Sequence, residues 1–270
     1  MPYRVCISHD IDHLSLHDHH RDLSIPKFIA VGMVETLKGR RNLWSQAKVK
    51  ATPIKMWWND TWNCIEELLE LEKKHKMPST YFFVMRSGKG VNYNEARLHE
   101  AIGFVKKHRQ DLGVHGQAFD DLERMREEVE RFKTLTGQKE TGIRMHYLRN
   151  NATTYDHLKS LRYKFDSTEF SKTLKQPYRM KNGLLEIPLH IMDTYLFSPF
   201  YSNMTITEAQ EHTLSLFADA KKGNKLVNIM FHQRSLSTDL PRSRAWIQWL
   251  YRHIATDEDC TTIRLSDVKP

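Results

Sequence analysis

Ser8, His9, Asp10, Ile11, Asp12 and His13 set two carboxylates two positions apart, with a histidine on either side. The preceding residues, Tyr3 to Ile7, are apolar and β-branched enough to form a buried strand. Alternate residues of a strand point the same way, so Asp10 and Asp12 face one site if the strand continues through them. Two carboxylates held that close repel each other unless a proton or a cation lies between them. This is the pairing that a metal site with an adjacent general base requires. A strand end running into an Asp-rich capping loop has the same composition, and the pattern alone does not separate the two readings.

The other residues able to do chemistry stand at the ends of further expected strands. Residues 78–84 and 112–116 are short apolar runs, the second ending in His115-Gly116. Residues 142–149 carry Arg144, His146 and Tyr147, residues 163–168 carry Asp166, and residues 184–192 lead into Asp193. Residues 225–231 end at His232, and residues 261–265 form a short closing strand. Between them, helical spacing predicts helices over 61–75, 94–110, 121–136, 153–161, 205–222 (stopped by Gly223) and 242–255. Strand and helix therefore alternate from about residue 60 onward, which predicts a parallel α/β sheet with crossover helices. With this many units, a closed or nearly closed barrel is favoured over an open sheet. In such a barrel the site lies at the C-terminal ends of the strands, where all of these residues fall. Residues 13–60 break the pattern and read as a helical insertion. It opens on a loop bearing His13, His17, His19 and His20, continues with a helix over 27–39, and approaches the 61–75 helix through Trp57, Trp58 and Trp62. The tryptophans suit either sugar stacking or core packing.

The bulk properties narrow the function class. The chain has 270 residues, 40% hydrophobic and 27% charged, as expected of one α/β domain spanning 1–270. Its formal charge of +8 is spread over many helices and does not call for nucleic acid, though it suits anionic surfaces or polymers. Three cysteines, Cys6, Cys64 and Cys260, without metal-ligand spacing, point to a reducing compartment. No leader and no membrane-spanning run is expected, so a cytoplasmic protein is the expectation, with no integral membrane association.

Taken in order, these motifs resemble those of the polysaccharide deacetylases of the NodB-homology type, carbohydrate esterase family 4. Ser8-His9-Asp10-Ile11-Asp12 looks like the first motif of that family, and Gly113-Val114-His115-Gly116 is similar to its metal-histidine motif. Arg144-Met145-His146-Tyr147, Asp166 and Ile229-Met230-Phe231-His232 look like the later motifs. The resemblance implies a distorted (β/α)7 barrel and a metal-dependent hydrolase that removes acetyl groups from a carbohydrate. It implies Asp10 as general base, His232 as general acid, Arg144 as brace of the base, and Tyr147 as an oxyanion-hole amide. By the same resemblance Asp166 would be the acidic residue of the fourth motif, and Asp12 and His115 metal ligands. Two positions depart from the family. Phe119 stands where a second metal histidine is usual, and His146 where proline is usual. The third ligand is therefore expected from His146 or from the loop of residues 13–20. Zinc is the expected metal for an Asp/His site, with manganese, cobalt and nickel as alternatives. Hydrolysis of another C–N bond, in a cyclic amide or ureide, and a non-catalytic sugar-binding relative are the competing readings.

Overall fold

The sheet is built around β1, Tyr3–Ile11, whose residues are buried apart from the partly exposed Arg4. A computed structural model describes residues 2–19, 60–88 and 90–269, with single positions between 20 and 59. The expected helix over 27–39, His20, Trp57 and Trp58 lie outside the fully described stretches. Nine further strands follow: β2 (Ser79–Val84), β3 (Asp111–Gly116), β4 (Ile143–Met145), β5 (Phe165–Asp166), β6 (Tyr178–Arg179), β7 (Leu185–Glu186), β8 (Ile191–Met192), β9 (Leu226–Met230) and β10 (Cys260–Ile263). All pairings are parallel except that of β6 with β7. The order across the sheet is β6-β7-β5-β4-β3-β2-β1-β9-β8, with β10 also on β1.

The two ends of that order belong to one stretch of chain. Residues 184–192, expected as a single strand, are divided at Pro188, which has no N–H to give to a ladder. The half before the proline pairs with β5, and Ile187 N–H donates to Asp166 O at 2.9 Å. The half after it pairs with β9, and His190 N–H donates to Asn228 O at 2.9 Å. The curled sheet is thus linked back to β1 through a broken sixth strand, which is the distortion of this α/β barrel.

The strand periodicity sorts the residues of β1. Val5, Ile7 and Ile11 pack under the helices, whereas Cys6 joins Phe82, Phe165, Ile187 and Leu226 in a small inner core. A Cβ on Gly142 would lie 2.1 Å from Phe165, so only glycine lets β4 pass this core. Ser8 and Asp10 follow Cys6 on the inner face, above that apolar floor.

The helices span Ile65–His75, Glu95–Lys107, Leu122–Thr136, Thr154–Ser160, Asp193–Phe197, Ile206–Gly223 and Pro241–Thr256. Thr205 and Glu208 form a capping box at the start of the long Ile206–Gly223 helix. Its end is set by Asn224, at φ 49°, rather than by Gly223. One further expectation is corrected here. The strand expected over 142–149 stops at Met145, and His146–Leu148 form a tight turn in which Tyr147 and Leu148 have φ 56° and 53°. The β6–β7 hairpin was not expected, because two-residue strands carry no readable period. Among the described residues no helix is long and apolar enough to cross a membrane.

Candidate metal centre

β1 delivers Asp10 at its end and Asp12 just beyond it, β3 delivers His115, and the turn after β4 delivers His146. Asp12 Oδ1 lies 3.2 Å from His115 Nε2 and 3.3 Å from His146 Nδ1. The two histidine nitrogens are 3.2 Å apart. His115 Nδ1 lies 2.9 Å from the Arg144 carbonyl oxygen, which can only accept. Nδ1 therefore carries a proton, and in the neutral ring Nε2 turns a lone pair towards Asp12 and His146.

These three side chains suit a divalent cation. Asp12 Oδ1 is buried, yet receives no hydrogen bond of normal geometry. Burial works to raise the Asp12 carboxyl, but His115, His146 and His232 outweigh it and hold it well below the usual carboxylate range. A carboxylate oxygen and two imidazole nitrogens form a common zinc donor set, and such ligands sit about 3.3 Å from one another around a tetrahedral ion, given metal–ligand bonds of about 2.0–2.1 Å. The observed edges of 3.2, 3.3 and 3.2 Å are close to that figure. His13 and His19 stay out of the triad. They pair with each other at 2.7 Å and pack on Trp62. Phe119 is partly buried, with the Arg149 guanidinium 5.0 Å above its ring.

Asp10 flanks the triad and is held from below. Arg144 is completely buried. Its Nη1 donates to Asp10 Oδ1 at 2.8 Å, and Nη2 donates to Ser8 Oγ at 2.9 Å and Ser167 Oγ at 3.0 Å. Nε donates to Ser167 O at 3.0 Å, and the guanidinium lies 4.5 Å over the Phe82 ring. Asp10 Oδ2 is left facing the triad, 3.8 Å from His115 Nε2.

His232 flanks the other side. Its Nε2 lies 3.3 Å from Asp12 Oδ2, and its Nδ1 lies 2.9 Å from Asp193 Oδ1. The His232 backbone N–H donates to Asp193 Oδ2 at 2.8 Å, and Ser235 Oγ–H donates to the same oxygen at 2.5 Å. Burial would lower the imidazole, but Asp193 and Asp12 outweigh it and push His232 well above its ordinary range. Asp193 is held low in return: burial opposes its charge, and His232 and Ser235 outweigh the burial. Asp193 was noted in the sequence only as a strand-end carboxylate. Its pairing follows from the register of β8 on β9, Met192 opposite Met230, which brings the residues after the two strands together.

Tyr147 is 54% exposed, with its ring 3.9 Å from that of His146. Asp166, expected as the acidic residue of the fourth motif, lies opposite Glu186 in the pairing of β5 with β7. Thr168 Oγ donates to Asp166 Oδ1 at 2.7 Å. Burial raises both carboxyls, and for Glu186 the neighbouring Asp166 adds to it. Glu128 was also unforeseen. Its Oε1 accepts from Gln117 N–H at 3.0 Å and Ala118 N–H at 3.3 Å, which fixes the loop after His115, and burial pushes its carboxyl up to about 7. His190 is a structural histidine: Nδ1 accepts from Asn228 N–H at 2.9 Å and Nε2 donates to Lys175 O at 2.9 Å.

No family model matches the chain, and no curated protein matches it in sequence. Solved structures do. A protein from Mycobacterium smegmatis assigned as a polysaccharide deacetylase superposes with a TM-score of 0.66 at 17% identity, over 98% of this chain and 88% of its own. One from Pseudomonas aeruginosa PAO1, assigned likewise, gives 0.65 at 17% identity over 98% and 89%. The fold is that of the polysaccharide deacetylases. A 4-alpha-glucanotransferase from Thermococcus litoralis also superposes, with a TM-score of 0.60 at 11% identity, over 99% of this chain and 40% of that one. The fold thus recurs in proteins assigned different activities, and the choice of reaction has to rest on the site.

Proposed function

We propose that the chain is a metal-dependent hydrolase that removes N- or O-linked acetyl groups from a carbohydrate. One observation carries this reading. The Asp12–His115–His146 triad is flanked on one side by a carboxylate braced by a buried arginine, and on the other by a histidine braced by a buried carboxylate. Asp12, His115 and His146 would hold the metal, with zinc as the first choice for this donor set. A divalent cation there supplies Lewis acidity to an acyl carbonyl and to water.

The chain's own residues supply the proton transfers. Asp10 accepts a proton from the attacking water through Oδ2, while the Arg144 guanidinium occupies Oδ1 and fixes the carboxylate in place. His232 gives its Nε2 proton to the departing amine or alkoxide, with the Asp193 carboxylate at Nδ1 stabilising the imidazolium. Asp193 fixes the Nδ1 end of the ring, the role the buried carboxylate has in a Ser-His-Asp triad. The backbone amide of Tyr147 is assigned to the oxyanion.

The test is acetate release from a panel of N- and O-acetylated mono- and oligosaccharides. The expected result is release that a chelator abolishes and zinc or another divalent ion restores. Release unaffected by exhaustive chelation, or none from any member of the panel with every ion tried, would contradict the reading.

A further inference from the structure

We propose that Arg234 selects a substrate bearing an anionic group, a carboxylate or a phosphate, next to the acetyl group that is cleaved. The inference rests on the hydrolase reading and names the class of sugar the site accepts.

Arg234 lies two residues after His232, on the tight turn Gln233–Leu236. Its guanidinium stacks 5.0 Å over the Trp62 ring. Trp62 is a fixed shelf: it is 1% exposed and packs against the His13 and His19 rings at 4.9 and 5.4 Å. Gln233 ties the turn to that shelf. Its amide donates to Trp62 O at 2.8 Å and to His13 O, and its oxygen accepts from Cys64 N–H at 2.9 Å. The arginine is therefore held in place at both ends, with its charge within electrostatic reach of Asp12, Asp193 and Tyr147.

The other arginines of the site have committed donors. Arg144 spends its guanidinium on Asp10, Ser8 and Ser167, and Arg149 donates to His146 O at 3.2 Å and Gln117 O at 2.8 Å. Among the described residues, no group accepts a hydrogen bond from the Arg234 guanidinium. The nearby carboxylates are already engaged, Asp12 with three histidines and Asp193 with His232 and Ser235. A half-buried cation with uncommitted donors has given up part of its hydration without gaining a hydrogen-bonded counter-ion. The planar, forked guanidinium, oriented by an aromatic face, is suited to two-pronged recognition of a carboxylate or phosphate. An anionic group on the substrate completes the arrangement, and the net charge of +8 favours its approach.

Titration calorimetry separates the possibilities without turnover as the readout. The probes are N-acetylglucosamine as the neutral sugar, N-acetylglucosamine 1-phosphate as the phosphate, and N-acetylmuramic acid as the carboxylate. The expected result is that at least one anionic probe binds about tenfold or more tighter than the neutral one, the size expected of a charge-assisted contact. Which anionic probe gains shows which anion is recognised. In Arg234→Gln the ratio falls to within about twofold, and Arg234→Lys, which keeps the charge but loses the fork, retains part of it. Near-ultraviolet circular dichroism checks that both variants keep the fold. Equal affinities for neutral and anionic probes, no binding of either anionic probe, or a preference that survives in Arg234→Gln would overturn the proposal. A protein that passes this binding test and releases no acetate would count against the hydrolase reading alone.

Discussion

Asp10→Asn is expected to lower the rate of acetate release by about two to four orders of magnitude, the usual range for a general base. The substitution isolates the proton transfer. Asparagine has the size of aspartate, and its carbonyl oxygen can keep the 2.8 Å contact that Arg144 Nη1 makes with Asp10 Oδ1. What it cannot do is take a proton at the atom that faces the triad. Asp10 lies outside the Asp12–His115–His146 group, so the variant is expected to bind as much metal as the parent. Steady-state kinetics with a metal assay on the same sample decides the matter. A rate within about threefold of the parent would remove Asp10 from the mechanism, and loss of both metal and rate would recast it as part of the metal-binding group.

The largest stability effect is expected at Arg144. Arg144→Met keeps much of the aliphatic volume over Phe82 but leaves Asp10, Ser8 and Ser167 without the donor they share. Removing one partner of a buried ion pair typically costs about 3–5 kcal/mol, because the remaining charge stays buried without compensation. In a chain of this size that corresponds to a drop in Tm of roughly 10 °C. The cause can be separated from lost packing. In the double variant Arg144→Met with Asp10→Asn, no carboxylate remains to be stranded, so its destabilisation is expected to be smaller than the sum of the two single effects. Denaturant melts of the four proteins give the coupling. A single-variant cost below about 1 kcal/mol, or strict additivity, would mean that Arg144 does not hold Asp10 in the way its geometry indicates.

Much of this arrangement could be read before any coordinates, for a definite reason. β1 alternates between an outer apolar face and an inner face of Cys6, Ser8 and Asp10, and a period of two is visible in nine residues. Once a parallel barrel is inferred, strand ends become the place to look, and Asp12, His115, Arg144, His146 and His232 all occupy such ends. The parts that could not be read depend on register and on which way a side chain turns. Asp166 and Asp193 both look like strand-end carboxylates. The pairing of β5 with β7 turns the first towards Glu186, whereas the pairing of β8 with β9 delivers the second to His232. The Ser8 and Ser167 contacts to Arg144 join residues far apart in the chain, and no local pattern announces them. Closure of the sheet through one stretch broken at Pro188 was equally invisible, since a proline within an apolar run reads only as a weakened strand.

The most direct test of the central claim is the metal content of the protein. Elemental analysis of tag-free protein, after incubation with zinc and removal of excess ion, is expected to give close to one metal per chain. His146→Ala, Asp12→Ala and His115→Ala are each expected to fall to a small fraction of that value, because each takes one donor from a three-residue group. No bound metal in the parent protein, or full occupancy retained in His146→Ala, would contradict the assignment of Asp12, His115 and His146 as the metal-binding centre.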